Sequence, residues 1–321
     1  MKPKQLLIGS ILVLVSLPLV LVLVVAASSS VLDRTNGAIV SSGRKRTYLL
    51  YVPPNYDRSK LMPLVISLHG AAVWPAQQMN LTRWNRLAGE EGFIVVYPSG
   101  SGRIWNVNRG PRLMDDVRFI ADLIDTLQTA YPIDSTRIYV NGFSLGGGMT
   151  FVLSCALSDR IAAVGMVAAA QTLPYSWCTD RRPVPMIAFH GTADMVPYQG
   201  GPSPDPFNPL IFPDVRVWVS NWARRNRCGP HPVEATIATD VTRLEYTRCA
   251  DSAAVVLYTI HGGGHTWPGG KSLPTWLVGP TSHGIDATSQ MWLFFQKHPK
   301  AGAARPPNKR LKLAAPGGPH G

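Results

Sequence analysis

The sequence is poor in charge and sparing with cysteine. Only 16% of its 321 residues are charged, and 45% are hydrophobic, a composition that excludes wholesale disorder. Acidic residues are scarce, at 19 against 31 Lys and Arg, which leaves a net charge of +12. That excess invites a nucleic-acid reading, but eight of the cations lie at the two ends. They are Lys2 and Lys4, then Lys297, Lys300, Arg305, Lys309, Arg310 and Lys312, and the remainder of the chain carries +4. No interleaved basic and aromatic surface accompanies them, so nucleic-acid binding is excluded. No repeat at a fixed period is visible, which excludes a solenoid or propeller. None of the four cysteines (Cys155, Cys178, Cys228, Cys249) forms a Cys-x-x-Cys pair, and their wide spacing excludes a zinc site. No cysteine precedes Cys155, so an N-terminal lipid anchor on cysteine is excluded as well.

An uncharged apolar run over residues 6–27 follows the basic start and ends in Ser28-Ser29-Ser30. This is the layout of a secretory signal, although the run also reaches the ~20 residues that span a bilayer. Either a cleaved signal or an uncleaved membrane anchor places the rest outside the cytoplasm, in a secreted, extracellular or periplasmic setting. Disulfides suit that compartment. Four cysteines allow three pairings. Cys155–Cys178 with Cys228–Cys249 closes two loops of about 20 residues, each worth about 3 kcal/mol in the chain-entropy model.

Short apolar runs then alternate with helical periods. Strands are predicted at 46–52, 64–68, 93–97, 137–141, 162–168, 185–189, 243–247 and 254–260. Helices are predicted at 115–131, 146–157, 215–225 and 287–297, with Asp115 and Asp116 placed at the positive end of the first. Near-continuous apolar strands separated by helices imply an α/β fold whose mostly parallel sheet is covered on both faces. The chain divides into a leader over 1–30, one globular domain over 31–298 and a disordered basic tail over 299–321.

Ser144 lies in Gly142-Phe143-Ser144-Leu145-Gly146, directly between a predicted strand and a predicted helix. That context marks a nucleophile held on a sharp turn. A serine hydroxyl needs a base, and the base an orienting acid, in the chain order Ser, acid, His. Asp194 follows the 185–189 strand in His190-Gly191-Thr192-Ala193-Asp194, and Asp180, Asp205 and Asp214 are its rivals. His265 follows three glycines in His261-Gly262-Gly263-Gly264-His265, with His261 and His283 as alternatives. The oxyanion donors are expected to be the amides of Leu145 and Ala71, and His69 is expected to be a structural loop residue. Trp74, Trp105, Trp177 and Trp267 fall in loops, where an aromatic substrate cleft competes with simple capping of the core.

Assembled, these motifs resemble the secreted esterase family of polyhydroxybutyrate depolymerases and feruloyl or acetylxylan esterases. The resemblance runs from about Thr47 to His298. Its carriers are Leu68-His69-Gly70, Asp115-Asp116-Val117, the Ser144 turn, the Asp194 motif and Gly262-Gly263-Gly264-His265-Thr266-Trp267-Pro268-Gly269. It implies an α/β-hydrolase that works without a cofactor. Ser144 would be the nucleophile, Asp194 the acid and His265 the base, with Cys228 bonded to Cys249. The substrate would be an ester of 3-hydroxybutyrate, or a feruloyl or acetyl ester of plant polysaccharide. Many members carry further cysteines near the segment matching Trp105-Asn106, and none is present here. A serine peptidase and a non-catalytic binding protein are the rival readings.

Overall fold

A computed structural model describes residues 34–301, except 109, 179 and 203–210. The leader, most of the basic tail and Asp205 lie outside the described residues. No helix among the described residues is long and apolar enough to cross a membrane.

Among the described residues the strands are β1 (Gly37–Ser41), β2 (Arg44–Tyr51), β3 (Met62–Leu68), β4 (Ile94–Pro98), β5 (Ile133–Phe143), β6 (Ala163–Val167), β7 (Met186–Gly191), β8 (Gly201–Pro202), β9 (Ile211–Phe212), β10 (Val233–Ala238), β11 (Val241–Tyr246) and β12 (Val255–Ile260). Ten make one sheet in the order β1-β2-β4-β3-β5-β6-β7-β12-β11-β10, and β8 pairs with β9 apart from it. The six strands from β4 to β12 run parallel, while β1, β2, β11 and β10 are antiparallel additions at the two edges. The parallel strands are buried on both sides because their alternate residues enter two separate cores. On one face Leu64, Ile66, Val140, Val164 and Met186 pack under the helices Pro111–Ala130, Leu145–Ala156 and Val215–Arg225. On the other, Val65, Val95, Tyr139, Ile187 and Val256 pack against Trp84, Met291 and Phe295. This is the α/β layering, helices on both faces of a mostly parallel sheet, that the apolar strand runs imply.

Several elements were not legible in the sequence. β1 is short and half-exposed, and joins β2 through Ser42 and Gly43, both at positive φ, as a two-residue hairpin turn requires. β10 is an edge strand exposed along nearly its whole length, so it lacks the alternation that would betray it. Two short helices, Pro75–Thr82 and Trp84–Glu91, meet at Arg83, whose φ of 58° breaks the helical period between them. The helix expected from 115 begins at Pro111. Asp115 and Asp116 therefore sit beyond its first turn, and Asp116 is a buried partner rather than a dipole cap.

Cys155 is bonded to Cys178 and Cys228 to Cys249, across sequence separations of 23 and 21. Each bridge fastens the last turn or carboxyl end of a core helix to a neighbouring loop.

Candidate active site

Ser144 occupies the step from β5 into the helix Leu145–Ala156, with φ 53° and ψ −121°. A non-glycine residue at positive φ is strained by about 1–3 kcal/mol, a cost tolerated where the surroundings over-determine the conformation. Here the Ser144 amide donates to the Val167 carbonyl on β6 at 2.9 Å. A Cβ at Gly142 would strike the Gly146 backbone, and one at Gly146 would strike the Leu68 and His69 carbonyls. The glycines thus let the helix start press against the end of β3.

The segment after β3 lies beside the serine: a Cβ placed on Gly70 would be 3.5 Å from Ser144 Cβ. His69 anchors this segment from below. Its Nδ1–H donates to the Gly70 carbonyl at 2.7 Å, and its Nε2 accepts the Gly100 amide at 2.9 Å. Burial pushes its pKa down to about 4, so the ring is neutral, as the acceptor role of Nε2 requires. The amides of Ala71 and Leu145 have no hydrogen-bond acceptor among the described residues, and Leu145 is the first residue of its helix.

Asp194 and His265 meet because their strands, β7 and β12, are parallel neighbours. Asp194 Oδ1 accepts from His265 Nδ1 at 2.7 Å and from the Val196 amide at 2.7 Å. The two loops are sewn together by the Ala193 amide donating to the Gly263 carbonyl at 2.9 Å. A further bond, from the His265 amide to Val278 O at 2.6 Å, ties this histidine to the four-residue helix Thr275–Val278. With Nδ1–H given to Asp194, His265 keeps Nε2 as its basic nitrogen. Ser144 Oγ is not hydrogen-bonded to that nitrogen in this geometry. Phe143, the residue before Ser144, has its ring centroid 5.0 Å from that of His265. Such bonds are often long before substrate binds.

The rival residues have other partners. Asp180 pairs with Arg225 at 3.2 Å, and Asp214 caps the helix Val215–Arg225. His261 is exposed with Thr242 Oγ1 at 3.2 Å, and His283 lies 3.4 Å from Ser272. Two of the expected cleft tryptophans are core residues. Trp105 is 1% exposed and donates its indole N–H to the His69 carbonyl at 3.0 Å, so it braces the loop from inside. Trp267 is equally buried and donates to Thr288 Oγ1 at 3.0 Å. A loop position does not make a surface residue when the loop is folded over the sheet end, and an indole N–H with an internal acceptor favours burial. Trp74 remains near the surface under the Arg103 guanidinium, 4.4 Å from its ring, and Trp177 is half-buried against the core. Trp276, which no sequence motif singles out, is 84% exposed on the short helix bonded to His265.

Asp116 supports the site from a distance. Buried, it accepts from Arg46 at 2.8 Å and from the backbone and side-chain amides of Asn106 at 2.8 and 2.7 Å. Arg46 also lies over the Phe119 ring at 3.9 Å. This cluster holds Asn106, the neighbour of Trp105, against the helix Pro111–Ala130.

Residues 46–171 match the family described as esterase PHB depolymerase. Feruloyl esterase B of Piromyces equi is 32% identical over 235 residues, covering 70% of this chain and 44% of that protein. The bifunctional acetylxylan esterase/xylanase of Neocallimastix patriciarum is 32% identical over 205 residues, covering 63% of this chain and 27% of that protein. The chain therefore spans less than half the length of these two curated relatives. The solved acetyl xylan esterase from Aspergillus awamori superposes with a TM-score of 0.56 at 17% identity. That match covers 78% of this chain and 94% of the solved one, and it shows a shared fold.

Proposed function

We propose that the chain is a member of the polyhydroxybutyrate depolymerase and feruloyl esterase-like family of α/β-hydrolases, and that it is an exported serine esterase working through an acyl-enzyme. The observation that carries this reading is the 2.7 Å bond between Asp194 and His265 at the sheet end where Ser144 sits on its strained turn. In this account His265 Nε2 removes the Ser144 proton as Oγ attacks the ester carbonyl. The oxyanion is received by the Leu145 and Ala71 amides, each such donor being worth about 3–4 kcal/mol of transition-state stabilisation. Asp194 stabilises the imidazolium that forms. His265 then returns the proton to the departing alcohol, and water activated by the same nitrogen releases the acid. Every step is a proton transfer or an acyl transfer, so the reaction calls for no cofactor.

Two disulfides support a site of action outside the cytoplasm. The 31–298 stretch is read as the catalytic domain. The names of the relatives favour feruloyl or acetyl esters of plant polysaccharide, with 3-hydroxybutyrate esters as the other member of the substrate class. A release assay with methyl ferulate, acetylated xylan, hydroxybutyrate oligomers, short-chain nitrophenyl esters and peptides tests this. Turnover of at least one natural ester class with peptides left intact is expected. Peptide cleavage without ester turnover would contradict it.

A further inference from the structure

Asp194 has a second oxygen that the acid–base pair does not use. Oδ1 takes both donors, the His265 ring and the Val196 amide, while Oδ2 is buried and has no hydrogen-bond partner among the described residues. A buried carboxylate oxygen left this way is costly, so whatever faces it matters. His190 faces it, with Nε2 3.6 Å from Oδ2.

His190 is the last residue but one of β7 and is 2% exposed. Its Nε2 lies 2.9 Å from the Val196 carbonyl, so that nitrogen carries the hydrogen and donates it. Nδ1 is buried and makes no hydrogen bond of ordinary geometry among the described residues. Burial pushes the proton affinity of the ring down, which keeps it neutral. Asp194, His265 and the carbonyls of Val196 and Ala169 face the ring, with the Tyr198 ring 5.9 Å away edge-on. An apolar side chain of similar size would fill this place without burying an unsatisfied nitrogen, so packing alone does not account for a histidine here.

One imidazole thus grips both ends of a three-residue turn. The Val196 amide is bonded to Asp194 Oδ1, the Val196 carbonyl to His190 Nε2–H, and the same N–H lies beside Asp194 Oδ2. From this closed arrangement we infer that His190 is a positioning residue that fixes the rotation of the Asp194 carboxylate so that Oδ1 faces His265. The inference rests on the reading of Asp194 as the acid of the site. It adds a fourth side chain that acts only through Asp194 and touches neither substrate nor nucleophile.

Asp194 matters most when His265 gains its proton, in the transition state, so losing its alignment lowers kcat rather than raising KM. In the full chain, His190→Leu is expected to lower kcat on a short-chain nitrophenyl ester about 10- to 100-fold, with KM within about twofold. His190→Gln places an amide N–H where Nε2–H was and is expected to restore most of that loss. His190→Asn, polar but too short to reach Val196, is expected to behave like the leucine variant, and serves if that variant fails to fold. A kcat unchanged in the leucine and asparagine variants would overturn the inference. So would a glutamine variant as slow as the other two at equal melting temperature. Absence of turnover in the wild type would instead overturn the esterase reading itself, and this inference with it.

Discussion

Ser144→Ala is expected to leave a folded protein whose kcat on a short-chain nitrophenyl ester is about five to six orders of magnitude below wild type. The size follows from the proposed mechanism: without Oγ no acyl-enzyme would form, and His265 and Asp194 would have no nucleophile to activate. The fold should persist because the interactions that hold the turn are those of the backbone. The Ser144 amide bonds to Val167, and the glycines at 142 and 146 admit the close approach to β3. Alanine has a Cβ in the same place as serine and meets the same strain at φ 53°. Circular dichroism and melting temperature alongside the kinetics check both halves. A drop of less than about tenfold would place the nucleophile elsewhere.

The second large effect is on stability. Asp116→Ala should cost about 3–5 kcal/mol, read by denaturant or thermal unfolding, because it strands the Arg46 guanidinium in the interior. Arg46 is only 8% exposed, and its other polar contact is the Ser99 carbonyl at 3.3 Å. The same change frees Asn106, and with it the segment carrying Trp105, whose indole holds the His69 carbonyl in place. A partial fall in activity should therefore accompany the loss of stability. Combining Asp116→Leu with Arg46→Met should recover much of the stability, since an apolar pair of similar volume removes the stranded charge. A single variant as stable as wild type would show that the ion pair carries no net weight.

How much of this was visible in the sequence depended on the kind of signal. The parallel strands were legible because both faces are buried, which makes them continuous apolar runs such as 64–68 and 254–260. The helices 215–225 and 287–297 were legible from their period, and the structure forms them over those same residues. Ser144, Asp194 and His265 stood out because each follows a strand in a glycine-marked turn. That Asp194 and His265 bond directly depends on β7 and β12 being neighbours, a long-range fact that local patterns do not contain. The sequence was silent where an element lies at an edge, as β10 does, or where a joint such as Arg83 interrupts the period. It misled at Trp105 and Trp267, because position in a loop says nothing about which way a side chain turns. Asp116 was read from its place on a helix, whereas its role follows from Arg46, 70 residues away in the chain.

Whether Ser144 is an activated nucleophile served by Asp194 and His265 is decided by treating the intact protein with a fluorophosphonate and locating the adduct by peptide mass spectrometry. One adduct per chain is expected, on the peptide containing Ser144. It should be absent from Ser144→Ala and form far more slowly in Asp194→Asn and His265→Ala. An adduct on another residue would place the nucleophile elsewhere. So would ester turnover that persists with Ser144 unlabelled after full exposure to the reagent.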